Sequence, residues 1–186
     1  MKHASKPMKM QGCLLRISVP PERNPVPDLK ALLQRLLEHK IDFVLIGGFA
    51  GTVHGTTIVT QDLEICVAFT EEEVAKLRAA LKDIHPKHRM NPSFKPSFLE
   101  YPKDLAGVNN IYLETDFGIL DILSSSEPAG DFREIKSRSV QISLYGHPCN
   151  VISIDDLIKI KESMKRPKDL QAVEELKLIR DKKTRP

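Results

Sequence analysis

The chain has 186 residues, enough to bury a substantial core in one domain, and its 41% hydrophobic and 28% charged residues predict a soluble globular protein. A net charge of +3 permits contact with phosphates but is too small to mark a nucleic-acid binder, and the absence of Trp with 5% aromatic residues argues against a broad base-stacking platform. Cys13, Cys66 and Cys149 form neither a CxxC pair nor an even set, which speaks against zinc and a disulfide framework and for a reducing cytoplasm, and no stretch is long and apolar enough to span a bilayer.

Residues 1–27, with Pro7, Pro20, Pro21, Pro25 and Pro27, read as an irregular arm with one strand expected near Leu14–Val19. The cationic opening is followed only by Cys13-Leu14-Leu15 before Arg16, too short for a secretory h-region. Asp28 caps a helix whose stripe is Leu29, Leu32, Leu33, Leu36 and Leu37 and which ends near His39 or Lys40. Phe43-Val44-Leu45-Ile46 is a continuous apolar run, as in a strand buried on both faces, and Gly47-Gly48 ends it. A short helix from Phe49 to His54, stopped by Gly55, then leads through Thr56–Thr60 to a strand over Asp62–Ala68.

Thr70 and Glu73 have the spacing of a reciprocal capping box, ahead of a helix burying Val74, Leu77, Leu81 and Ile84. The proline-rich stretch from His85 to Asn110 carries one strand signal near Ser97–Glu100, and His85 and His88 read as loop residues. Ile111–Glu114 and Ile119–Leu123 form a hairpin through Thr115-Asp116-Phe117-Gly118, and Gln141–Leu144 with Cys149–Ile152 form another through Tyr145-Gly146-His147-Pro148. Ser153 caps a helix containing Lys161 and Met164. Arg166-Pro167 interrupts it, and Leu170, Val173, Leu176 and Ile179 give a new apolar stripe.

Alternation along a strand puts Asp62 and Glu64 on one face while Leu63, Ile65 and Val67 face a core. Two carboxylates on one face suit a hard divalent cation. Glycines at the end of an apolar strand let backbone N–H groups approach an anion, and a helix starting there adds partial positive charge. Asp121 interrupts an apolar strand and is costly to bury unless paired or metal-bound, so the face of Asp62 and Glu64 is its natural place.

In this order the motifs resemble the minimal nucleotidyltransferase domains of the polymerase-β-like superfamily, in particular the bacterial abortive-infection and toxin–antitoxin group. The resemblance runs from Asp28 to about Leu178 through Phe43-Val44-Leu45-Ile46-Gly47-Gly48, His54-Gly55, Thr60-Gln61-Asp62-Leu63-Glu64, Asp121, Lys161 and Arg166-Pro167-Lys168-Asp169-Leu170. It implies an α+β fold, a mixed sheet flanked by helices, with core 28–152 and a C-terminal helical segment 153–186 in the same domain.

The same resemblance implies Asp62, Glu64 and Asp121 as catalytic carboxylates holding Mg2+ or Mn2+, and Gly47, Gly48, Lys161, Arg166 and Lys168 as nucleotide-binding, with Asp169 orienting them or capping the last helix. The implied reaction moves a nucleoside monophosphate from a nucleoside triphosphate such as ATP to a hydroxyl on RNA, protein or a small molecule. Three positions depart from the pattern: Ile58 where an Arg is frequent, Gly48 where many members carry Ser, and Glu64 in place of Asp.

Plainer readings stand beside these. Taken alone, the Asp62/Glu64 pair is most often a solvated strand face and Gly47-Gly48 more commonly a simple tight turn, Asp121 has the alternative of pairing with a Lys or Arg, and Arg166–Asp169 reads equally as a helix break with Pro167 at the first helical position. His54 fits a helix C-terminal interaction at least as well as a ligand role. Two other function classes follow: a catalytically silent nucleotide- or partner-binding domain of a toxin–antitoxin-like system, and an RNA-binding module using the basic end from Lys177 to Arg185.

Overall fold

The computed structural model describes residues 26–184, so the expected strand near Leu14–Val19 and nearly all of the N-terminal arm lie outside the described residues. The leucine stripe makes helix α1 (Leu29–Glu38), capped by Asp28 accepting from the Ala31 N–H at 2.9 Å. Leu32, Leu33 and Leu36 are fully buried, each burial worth roughly 1.5–3 kcal/mol against exposure. Strand β1 (Phe43–Ile46) is buried at all four positions and passes directly into α2 (Gly47–His54), two residues earlier than the apolar pattern predicts. Gly55, at φ +116°, ends α2 in the left-handed conformation.

Strand β2 (Asp62–Val67) follows, then α3 (Glu71–Leu81) and a single 3₁₀ turn over Lys82–Ile84. The capping box on α3 forms by half: the Thr70 hydroxyl accepts from the Glu73 N–H, but the buried Glu73 carboxylate turns to the Asp42 N–H at 2.6 Å. The carboxylate thereby satisfies the Asp42 backbone N–H in the α1–β1 connection and is drawn away from the cap. The proline-rich stretch contains a two-residue strand, β3 (Lys87–His88), bridged to Ser97. His88 is therefore a strand residue, while Ser97–Glu100 is a turn that buries Phe98.

The first hairpin is β4 (Asn110–Thr115) and β5 (Gly118–Leu123). A small ribbon, β6 (Ser125–Ser126) with β7 (Gly130–Asp131), leads into α4 (Phe132–Arg138), whose complete Asp131–Glu134 capping box had not been anticipated. The second hairpin is β8 (Val140–Leu144) and β9 (His147–Val151), and α5 (Ile154–Met164) and α6 (Pro167–Thr184) close the described chain.

Seven strands form one mixed sheet in the order β3-β4-β5-β2-β1-β9-β8, parallel at β1/β9 and β2/β5 and antiparallel elsewhere. The α1 helix lies over β2, β5 and β9 and packs on α3, whereas α2 packs on β1 and β2 and meets α5 and α6. Leu63, Ile65 and Val67 are fully buried on one face of β2. The other face carries Asp62 and Glu64 towards α5 and α6, whose residues share their cleft. No described helix is long and apolar enough to cross a membrane.

Candidate active site

Register, more than sequence proximity, builds the acidic face. In the parallel β2/β5 pair Glu64 stands opposite Asp121 and Asp62 opposite Ile119, so the three carboxylates share one face of two adjacent strands. They line one cleft of about 560 Å³ together with Gly48, Lys161, Arg166 and Lys168. Gly47 lies just behind, in a small neighbouring hollow with Glu64 and Lys161.

The glycine turn is shaped around Glu64. Gly47 has φ +66°, and a Cβ there would stand 1.6 Å from Glu64 Oε2, so this position tolerates no side chain while Glu64 stays in place. Glu64 Oε2 accepts from the Gly48 N–H at 3.1 Å, which puts a carboxylate at the N-terminus of α2, where no side-chain cap is present. A Cβ on Gly48 would meet Thr60 Oγ1 at 2.6 Å. The Thr60 hydroxyl in turn donates to Asp62 Oδ1 at 2.6 Å. Thr60 thus fills the space that a side chain at position 48 would need, which accounts for glycine at that position here.

Burial, and next the adjacent Asp62 charge, raise the Glu64 carboxyl above the ordinary glutamate range; the Gly48 N–H opposes this, Asp121 adds to it and Lys161 counters it. A carboxyl raised in the folded state lends stability that is fully present below the unfolded-state value and is lost as pH rises through the folded-state value. Glu64→Gln keeps an acceptor for the Gly48 N–H and removes the charge. In metal-free buffer it should raise the Tm at pH 7.5, with the gain disappearing below the glutamate range; thermal unfolding across pH measures it, and a lowered Tm at pH 7.5 would contradict it.

Asp121 is only 7% exposed and carries a cation the sequence reading did not identify. Arg89 Nη2 donates to both Asp121 oxygens, at 2.8 and 2.7 Å. Burial raises the Asp121 carboxyl, the Arg89 hydrogen bonds and charge pull it back, and Asp62 pushes it up again. The alternative in which Asp121 pairs with a basic residue is therefore realised inside the cleft, without removing Asp121 from the acidic face. Arg89 follows β3 in the proline-rich stretch, 32 residues from Asp121, and no local pattern announces it.

Opposite the carboxylates, α5 delivers Lys161, and the Arg166-Pro167 restart delivers Arg166 and Lys168. Buried Asp169 accepts from Lys161 at 3.3 Å and from Arg166 Nε at 2.5 Å, so it orients both cations. Lys168 is exposed at the rim. Ile58 also lines the cleft, at the position where an Arg is frequent in the resembled domains; the cations here come from Arg89, Lys161, Arg166 and Lys168. His54 is buried with its ring lowered in pKa by desolvation. Its Nε2–H donates to the Ile152 carbonyl at 2.7 Å, a structural tie between α2 and the end of β9.

A second hollow of about 550 Å³, lined by His85, Lys87, Lys95, Glu114 and Asp116, shares Gln61 and Ile119 with the acidic cleft. In it His85 pairs with Asp116 and Lys95 with Glu114. At the basic end of α6, Lys177 pairs with Glu162 and Arg180 with Asp155. Cys66 and Cys149 are buried free thiols, pushed up by burial to about 12 and about 11, which fits inert packing groups.

The donor set is one of hard oxygens, correct in kind for Mg2+ or Mn2+. Asp62 and Glu64 fit an ion, each keeping an oxygen outside the hydrogen bonds to Thr60 and Gly48. Asp121 does not in this arrangement, because both its oxygens are held by Arg89, and among the described residues no group of three His, Cys, Asp or Glu side chains gathers closely enough to hold a metal.

No protein-family model matches the sequence, and no curated protein sequence does. Solved structures do match in shape. The lincosamide antibiotic adenylyltransferase LnuA, crystallised with lincomycin, superposes with a TM-score of 0.57 at 17% identity over 82% of this chain and 96% of its own. An antigenic nucleotidyltransferase-like protein from Paracoccidioides brasiliensis gives a TM-score of 0.52 at 11% identity over 79% of this chain and 72% of its own. The α+β fold with its mixed sheet and C-terminal helices is a nucleotidyltransferase fold.

Proposed function

We propose that this chain is a nucleotidyltransferase that moves a nucleoside monophosphate from a nucleoside triphosphate to a hydroxyl group of a small molecule, with Mg2+ or Mn2+ as cofactor and in a reducing cytoplasm. The observation that carries the reading is the single cleft in which Asp62, Glu64 and Asp121 face Lys161, Arg166 and Lys168. Carboxylates for a cation and cations for a polyphosphate, facing one another across one cleft, are what phosphoryl chemistry requires.

Asp62 and Glu64 would hold the divalent ion, which supplies charge neutralisation at the triphosphate when bound. Lys161, Arg166 and Lys168 would bind the phosphates and offset the charge that builds on departing pyrophosphate. A bond forms between the acceptor oxygen and the α-phosphorus, the bond from that phosphorus to the bridging oxygen breaks, and the hydroxyl proton passes to a lone pair of the Asp121 carboxylate that the hydrogen bonds from Arg89 do not use. The hollow joined to the cleft through Gln61 and Ile119 supports a small acceptor, since its size suits one and it opens beside Asp121's strand. The antibiotic adenylyltransferase of the same fold, crystallised with lincomycin, agrees with that choice over RNA or protein.

Wild-type protein given each of the four common nucleoside triphosphates, Mg2+ or Mn2+, and a panel of hydroxylated small molecules should release pyrophosphate; none with any combination would refute the reading. The engaged state of Asp121 and the presence of Ile58 favour one rival, a catalytically silent nucleotide- or partner-binding domain of a toxin–antitoxin-like system. The rival predicts that no nucleoside triphosphate is turned over even where one raises the Tm.

A further inference from the structure

Resting on the reading above, we propose that Arg89 stands in for one of the two divalent ions of a two-metal site: the cleft binds a single ion, between Asp62 and Glu64, and the Arg89 guanidinium stays on Asp121 when nucleotide is bound. A two-metal site places its ions roughly 3.5–4 Å apart, and the third carboxylate must be open to one of them. Here that carboxylate is closed, with Nη2 of Arg89 at 2.8 and 2.7 Å from its two oxygens. A second divalent ion at Asp121 would sit against the guanidinium charge in a partly buried cleft, where screening by water is weak.

Arg89 is also held from its far side. Its guanidinium carbon lies 5.5 Å from the centroid of the Tyr112 ring, and its backbone N–H donates to the Tyr112 carbonyl at 3.0 Å. Tyr112 is the register partner of Asp121 across β4/β5, so ring, guanidinium and carboxylate are fixed by one pair of strands. Swinging Arg89 away would break the cation–π contact and the charge-assisted hydrogen bonds together. Nε of Arg89 is buried with no partner among the described residues.

Charge balance points the same way. With Arg89 on Asp121 and with Asp169 shared by Lys161 and Arg166, Asp62 and Glu64 are the two lining carboxylates outside these ion pairs, and one divalent cation matches their charge. Lys161 and Arg166 are already ordered by Asp169 and leave Lys168 as the additional cation at the rim.

The test counts Mn2+ ions bound per protein, by electron paramagnetic resonance, in the presence of each of the four α,β-methylene nucleoside triphosphates and after subtraction of ion bound to free nucleotide. Wild type should hold one ion, Arg89→Ala two, and Arg89→Ala with Asp121→Asn one again. Asp121→Asn alone should leave the wild-type count at one, a check that stands even where Arg89→Ala fails to fold; Arg89→Gln serves as the second variant at that position. Two ions in wild type, one in both wild type and Arg89→Ala, or loss of the ion in Asp121→Asn would overturn the inference while leaving nucleotidyl transfer standing. No ion in any protein with any nucleotide would overturn both.

Discussion

Asp62→Ala should abolish divalent-dependent nucleotide binding and pyrophosphate release while leaving the fold intact. The side chain is only partly buried, and among the described residues it accepts its hydrogen bond from the Thr60 hydroxyl, so its loss orphans a group that can turn to water in the cleft. Its place beside Glu64 is what makes a two-oxygen grip on an ion. Outer partners of metal ligands are commonly worth roughly 10–100-fold in affinity or activity, so loss of a ligand itself should exceed about a hundredfold. Titration of Mn2+ with nucleotide and a pyrophosphate assay check this, with an unchanged thermal unfolding profile as the control. Full activity in Asp62→Ala would remove Asp62 from the site.

The largest effect on stability is expected at Asp169. Its side chain is 2% exposed and is shared by Lys161, itself 11% exposed at the side chain, and Arg166. Removing one member of a buried ion pair leaves the other uncompensated, at a cost of about 3–5 kcal/mol. For a chain of this size that corresponds to a fall in Tm on the order of 10 °C. Asp169→Ala should show it, and Asp169→Asn nearly as much.

The effect should depend on pH. Burial pushes the Asp169 carboxyl up, but the hydrogen bond from Arg166 and the charge and hydrogen bond of Lys161 outweigh it and hold the group below the usual carboxylate range. A carboxyl lowered in the folded state lends stability that is present above the unfolded-state value and lost as pH falls through the folded-state value. The gap between wild type and Asp169→Asn should therefore be full at pH 7 and close in strong acid. A gap independent of pH would assign the loss to packing alone. Release of Lys161 from Asp169 should also weaken nucleotide binding, because the cation would no longer be aimed into the cleft.

Much of the frame was legible because its signals are local. The leucine stripe of α1, the four-residue apolar run of β1, the glycine turn and both hairpins are periodicity and turn chemistry, and all lie within a residue or two of expectation. The pairing of Asp62 with Glu64 followed from strand alternation, and the placement of Asp121 beside them followed from the cost of burying a charge. What could not be read is tertiary. Glu73 leaves its capping box for the Asp42 N–H, contributed from 31 residues earlier, and Arg89 reaches Asp121 from a proline-rich stretch with no periodic pattern. Thr60 sits inside the recognised motif, but its role in filling the space above Gly48 emerges only when helix and strand are brought together. The Asp131–Glu134 box on α4 has the spacing of a helix start, but α4 is only seven residues long and lacks an extended apolar stripe to mark it as a helix.

The central claim is that the Asp62/Glu64 face takes a divalent ion and a triphosphate together. A crystal of wild-type protein grown with Mn2+ and an α,β-methylene nucleoside triphosphate tests it most directly, through the anomalous signal of manganese. The expected result is an anomalous peak between the carboxylates of Asp62 and Glu64, with the β- and γ-phosphates against Lys161, Arg166 and Lys168. A triphosphate bound elsewhere, or a cleft with neither ion nor phosphate in crystals that hold the nucleotide at saturating concentration, would contradict the account.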